Sequence, residues 1–141
     1  MSIEIGIKGR AEDVVREENT AQAVGSGTLP VFATPAMTAL MEKAAWTSLA
    51  PYLSEGESTV GTKLEITHDS ASPLGIKVWA ESEVTQVDGK RIVLKVAALA
   101  EKTGPETRRR MTDIFLRCTK MCSISRTGGK SPSVRCTWSR K

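Results

Sequence analysis

The sequence predicts an α+β domain in which a curved antiparallel sheet wraps around one long central helix. Three observations carry that expectation. Residues 34–49 are apolar nearly all round, which marks a buried rather than a surface helix. Segments 59–68, 76–87 and 91–100 alternate apolar and polar residues with a period of two, the pattern of strands with one buried face. Asp88-Gly89 between the last two is a hairpin signal, so those two run antiparallel. A one-faced antiparallel sheet needs a cover, and that helix is the only candidate.

The elements follow in order. Ile3, Ile5 and Ile7 alternate as a first strand, and Gly9 is expected to break it. Residues 11–18 read as a second short strand or a continuation of the first, and Asn19-Thr20 marks a turn. Residues 21–29, AQAVGSGTL, are small, glycine-rich and free of aromatics, and read as a loop or flap. Their GSG lacks the glycine spacing and the following lysine of a phosphate loop. Thr34 before Pro35 predicts a helix start, with the hydroxyl at the N-cap and proline at the first helical position. Pro51 and the Glu55-Gly56 turn end that helix, which at ~1.5 Å per residue is about 24 Å long. Segment 59–68 places Val60, Thr62, Leu64 and Ile66 on one face, and His68 continues their parity. Segment 76–87 turns Ile76, Val78 and Ala80 inward, and a type I′ turn leads to 91–100, with Ile92, Leu94, Val96 and Ala98 inward. Residues 111–116 form one further strand, and Trp46 and Trp79 are expected to pack.

With 141 residues, 40% hydrophobic and 26% charged, the chain has the composition of one globular domain. That domain is expected over 1–116, with a basic, cysteine-containing tail over 117–141. Residues 1–103 carry 10 Lys+Arg against 14 Asp+Glu, a net −4, and residues 104–141 carry 10 against 2, a net +8, giving the overall +4. The basic character therefore belongs to the tail, which is expected to be a largely disordered, solvated extension from Cys118 onward rather than a nucleic-acid site. Cys118, Cys122 and Cys136 all lie there, and an odd count without a secretion signal argues against a disulfide framework. Their C-x3-C-x13-C spacing offers zinc three thiolates with no fourth ligand nearby, so no metal is expected. No apolar run reaches ~18 residues and the N-terminus lacks a basic and then apolar leader, so a cytoplasmic protein without a membrane span is expected.

The residues that carry chemistry are Thr34, Glu42 and His68. A hydroxyl, a carboxylate and the chain's sole imidazole are the parts an acyl-transfer site needs. Two of them lie at or in an apolar helix, where a bare charge is costly. Thr34 also suits an N-cap, and the two roles coexist, because a helix N-terminus offers N–H groups to an oxygen gaining charge. Thr34 and Glu42 are eight residues apart, about 12 Å along a helix, so one chain cannot bring both to one small acyl carbon. A site shared between two subunits removes that difficulty.

The stretches VFATPAM, ALMEKAAW, APYL, VGTKLEITHDSASPLG and VDGKR, over roughly residues 9–102, resemble the hotdog-fold acyl-CoA thioesterases, specifically the fluoroacetyl-CoA thioesterase-like group. The resemblance implies a hotdog fold, a homodimer or larger assembly with the active site at the dimer interface, and a catalytic Thr, Glu and His at Thr34, Glu42 and His68. It also places Gly61, Val31 and Phe32 against the substrate. The fluoroacetyl-selective member has an aromatic lid just before VFAT, and AQAVGSGTL has no Phe, so a broader acyl-CoA range is expected. The family's closing G-T-H-x-R strand is half matched by residues 107–110, and the cysteine-rich tail has no counterpart.

The expectation is therefore a thioesterase that hydrolyses a small or medium acyl-CoA. Coenzyme A enters as part of the substrate, and no metal or redox cofactor is needed. His68 acts as general base on water or on the Thr34 hydroxyl, while Glu42 orients the imidazole or attacks the carbonyl itself. The alternative is a non-catalytic dimer that binds an acyl group or small ligand on the same fold. A third reading is an interaction protein that acts through its basic tail.

Overall fold

The computed structural model describes residues 2–101 and, for residues 109–122, the backbone. Strand β1 (Lys8–Val14) is followed by a one-turn helix α1 (Ala21–Val24) and the long helix α2 (Thr34–Leu49). Strands β2 (Glu57–Glu65), β3 (Lys77–Asp88), β4 (Arg91–Ala100) and β5 (Arg109–Cys122) complete the fold. They form a five-stranded sheet in the order β1-β3-β4-β5-β2, every neighbouring pair antiparallel. Helix α2 lies against this sheet, and Met37, Leu40, Met41, Ala44, Ala45 and Leu49 bury their side chains in its concave face. Facing them are Val78, Ala80, Val84, Ile92, Leu94, Val96 and Ala98, all essentially inaccessible. This is the expected hotdog arrangement.

Four details differ from the sequence reading. The first strand begins at Lys8, after a turn at Ile5-Gly6, and Gly9 lies inside it rather than ending it. A Cβ on Gly9 would collide with the Ala44 carbonyl oxygen and lie 2.5 Å from Ser48 Cβ, so glycine is what lets β1 cross α2 in contact. The flap holds one helical turn, α1, capped by Thr20, whose hydroxyl accepts from the Ala23 N–H at 3.3 Å, and closed by Gly25 at φ +84°. Gly89 is the first of two turn residues, at φ +56°, while Lys90 keeps a negative φ. That replaces the expected type I′ turn, which needs both positive, by one with glycine at the first central position.

The fourth difference is in β2. Its register against β5 shifts between Gly61 and Lys63, so that Gly61 faces Cys118 and Lys63 faces Arg117. One extra residue reverses the parity of a strand. Val60 is therefore 44% exposed, whereas Leu64 and Ile66 pack against the core. The expected common face for Val60 and Leu64 is thus split, and the face that leads to His68 begins after the bulge.

β5 runs to Cys122, so residues 117–122 pair with β2 beyond the end expected for the last strand. The rest of the expected tail, 123–141, lies outside the described residues. Trp46, expected to pack, is 50% exposed, whereas Trp79 is buried with the Arg10 guanidinium 5.1 Å from its ring centroid.

Candidate active site

The segment Val31-Phe32-Ala33 delivers the chain into α2, and its backbone is held on both sides. On one side the Ala21 N–H donates to the Val31 carbonyl at 2.8 Å and the Ala33 N–H to the Asn19 carbonyl at 2.9 Å. On the other the Phe32 N–H donates to the Ser72 carbonyl at 2.8 Å, and Val31 bridges Pro73. Asn19 makes this possible. Its buried side chain accepts from the Arg16 N–H at 2.9 Å and donates to the Val14 carbonyl at 3.0 Å, tying the end of β1 to the start of α2. The sequence reading saw only a turn at Asn19, since nothing local in the sequence announces a brace between distant segments. Phe32 is 1% exposed and belongs to the core, while Val31 is half-buried.

Helix α2 starts one residue earlier than expected. Ala33 is the N-cap, at φ −70° and ψ 140°, with no side-chain cap, and its carbonyl accepts the Met37 N–H at 2.9 Å. Thr34 is thus the first helical residue and Pro35 the second. The Thr34 hydroxyl, relieved of capping, instead lies 2.8 Å from His68 Nδ1. His68 sits three residues beyond β2, in the irregular stretch that returns to β3. Burial alternates through that stretch: Ile66, His68 and Ser70 are half-buried, and Thr67 and Asp69 are exposed. The period of two therefore continues past the end of the ladder. The Nε2 atom of His68 is shielded from solvent and has no hydrogen-bond partner among the described residues.

The structure thus brings Thr34 and His68 together and leaves Glu42 apart from them. Glu42 is half-buried on α2 and makes no hydrogen bond or ion pair among the described residues. It lies on the outward stripe of the helix, with Pro35 and Ala39 before it and Trp46 after it, at the i, i+3/i+4 spacing of one face. Gly61 is exposed at the bulge of β2. A groove of about 1030 Å³ lies at the other end of α2, between residues 2–10 and Thr47, Ser48, Pro51 and Tyr52. Neither Thr34 nor His68 lines it. Among the described residues no group of three His, Cys, Asp or Glu is placed to hold a metal, and no helix is long and apolar enough to cross a membrane.

Residues 15–104 match the family described as FlK, fluoroacetyl-CoA-specific thioesterase. A fluoroacetyl-CoA thioesterase of Streptantibioticus cattleyicolor is 43% identical over 68 residues, covering 48% of this chain and 49% of that protein. The match thus spans about half the length of that relative. A solved structure of the fluoroacetyl-CoA thioesterase FlK superposes with a TM-score of 0.74 at 27% identity, over 86% of this chain and 90% of that one. A Thermus thermophilus thioesterase superfamily member superposes with a TM-score of 0.75 at 26% identity, over 85% of each chain.

Proposed function

The chain belongs to the fluoroacetyl-CoA-specific thioesterase family, and from that premise we propose that it hydrolyses an acyl-CoA thioester to the free acid and CoA. The observation that carries this reading is the 2.8 Å contact between the Thr34 hydroxyl and His68 Nδ1, with Nε2 left free. In this reading the proton of neutral His68 resides on Nδ1 and is donated to Thr34 Oγ1. That fixes the ring and leaves the Nε2 lone pair as the general base. Nε2 takes a proton from the water that attacks the thioester carbon. The first N–H groups of α2 and the Gly61 N–H receive the charge that develops on the carbonyl oxygen. The imidazolium then protonates the departing CoA thiolate. No metal or redox cofactor is called on.

Glu42 enters from a second copy. Thr34 and Glu42 are separated by about 12 Å of helix, and a partner's helix laid beside α2 supplies the carboxylate that its own chain cannot. A carboxylate within ~4–6 Å of the imidazole favours its charged form. The same contact covers Trp46, whose exposure is unusual for a large aromatic. A homodimer or larger assembly is therefore the working enzyme.

The substrate is a small or medium acyl-CoA. The relatives are named for fluoroacetyl-CoA, and FlK has been solved with fluoroacetate and CoA. In this chain the flap over 21–29 contains no aromatic side chain to close over a two-carbon acyl group, so a broader range follows. An acyl-CoA substrate suits a cytoplasmic protein. The test is release of free thiol from a panel running from acetyl- and fluoroacetyl-CoA to octanoyl-CoA. Turnover of at least one member supports hydrolysis, and binding without thiol release would support the non-catalytic dimer instead.

A further inference from the structure

Two buried side-chain atoms of the described residues have no hydrogen-bond partner, His68 Nε2 and Ser70 Oγ. They stand two positions apart in the same irregular stretch. Buried polar atoms in folded proteins are nearly always bonded, so two orphans in one place mark where something else binds. The alternation of burial puts His68 and Ser70 on the same side of the chain, with Thr67 and Asp69 turned out, where the Thr67 hydroxyl donates to Asp69 at 3.3 Å. Side chains two positions apart on one side of the chain can share a single bridging water. The stretch is also held in place. The Phe32 N–H bonds the Ser72 carbonyl at 2.8 Å, and the Gly75 N–H bonds the Val15 carbonyl at 2.7 Å.

We propose that Ser70 is a catalytic residue, whose hydroxyl and His68 Nε2 together hold the water that attacks the thioester. This rests on the reading of His68 as general base. One O–H of the water donates to Nε2 and the other to Ser70 Oγ, which turns the oxygen lone pair toward the carbonyl carbon. On attack the new C–O bond forms, the proton passes to Nε2, and the carbonyl π electrons move to oxygen. On collapse the C–S bond breaks, and the thiolate takes the proton from the imidazolium, giving acid and CoA. Ser70 is unchanged through the cycle. Its task is to fix the angle of attack, a contribution of the order made by one well-placed hydrogen bond.

The test compares the full-length wild type, Ser70→Ala, Ser70→Thr and His68→Ala, with acetyl-CoA and hexanoyl-CoA as probes and thiol release as readout. Ser70→Ala should lower kcat about tenfold, with KM within about twofold and an unchanged melting midpoint. Ser70→Thr, which keeps the hydroxyl, should recover turnover to within about threefold. Added hydroxylamine, a nucleophile that needs no such anchor, should raise thiol release proportionally more in Ser70→Ala than in wild type. His68→Ala should fall about 100-fold. If Ser70→Ala keeps kcat within twofold while His68→Ala collapses, the water-holding role is overturned and the reading of His68 stands. A Ser70→Ala change confined to KM or to the melting midpoint overturns it as well. If no member of the acyl-CoA panel is turned over by the wild type, or His68→Ala matches it, the reading of His68 falls and this inference falls with it.

Discussion

Thr34→Ala separates a helix cap from a site residue, because the two roles predict opposite outcomes. Loss of a Thr N-cap costs roughly 0.5–2 kcal/mol. Thr34 is instead the first helical residue, with no capping bond from its side chain, and its hydroxyl is turned to His68 at 2.8 Å. Alanine is a better helix former than threonine by up to about 0.7 kcal/mol. Losing one neutral hydrogen bond costs about 1 kcal/mol. The two nearly cancel, so stability should change by less than about 0.5 kcal/mol, a shift of the melting midpoint of less than about 4 °C for a domain of this size. Turnover should behave differently. Without Thr34 the imidazole loses the contact that fixes its tautomer and orientation, and a misdirected general base costs on the order of 10²-fold. Thr34→Ser keeps the hydroxyl and should stay within several-fold of wild type. Calorimetry and thiol release on the same preparations decide it. A drop of 8 °C or more with intact turnover would show Thr34 to be a cap and refute the site built on it.

Four further outcomes are expected. Gly9→Ala should destabilise the protein by about 3 kcal/mol or more, measured by denaturant unfolding, because the added methyl meets the Ala44 carbonyl oxygen and Ser48 Cβ; a loss under 1 kcal/mol would mean that β1 and α2 are not in contact there. Glu42→Ala should lower turnover by ~10² or more with unchanged circular dichroism, the scale of losing an acid–base group. Mixing inactive Glu42→Ala with inactive His68→Ala and allowing subunits to exchange should restore activity, since a hybrid keeps one site with both groups intact; no recovery, with exchange verified, would place the two groups in one subunit's site. Truncation after Cys122 should leave turnover intact, whereas truncation after Arg117 removes the β5 residues that pair with 57–61 of β2 and should lower the melting midpoint; equal stability of the two would contradict the pairing.

The fold was legible because its signals are long. A 16-residue apolar helix and alternating strands joined by Asp-Gly leave one way to cover the sheet. What escaped the sequence turns on single residues and on the third dimension. Gly9 looks like a strand breaker until the helix it touches is in place. The bulge beside Gly61 is marked only by that glycine, yet it reverses the face of Val60. Thr34 stood out in the sequence as an N-cap, but that role went to the Ala33 backbone, which a long-range bond to Asn19 holds in place. Pairing of Thr34 with His68 follows a return of the chain over more than thirty residues, which spacing alone does not encode. Ser70 had only a faint signal, a small hydroxyl two residues after the sole histidine. Strand β5 was cut short because residues 117–122, RCTKMC, carry no apolar–polar alternation.

The central claim is that His68, held by Thr34, hydrolyses an acyl-CoA thioester. The most direct measurement is steady-state thiol release from the acyl-CoA panel by wild type and His68→Ala at equal concentration. Clear turnover of at least one acyl-CoA by the wild type, reduced about 100-fold or more in His68→Ala with the same melting midpoint, is the predicted result. Equal turnover by the two proteins, or no thiol release from any acyl-CoA by the wild type, would contradict it.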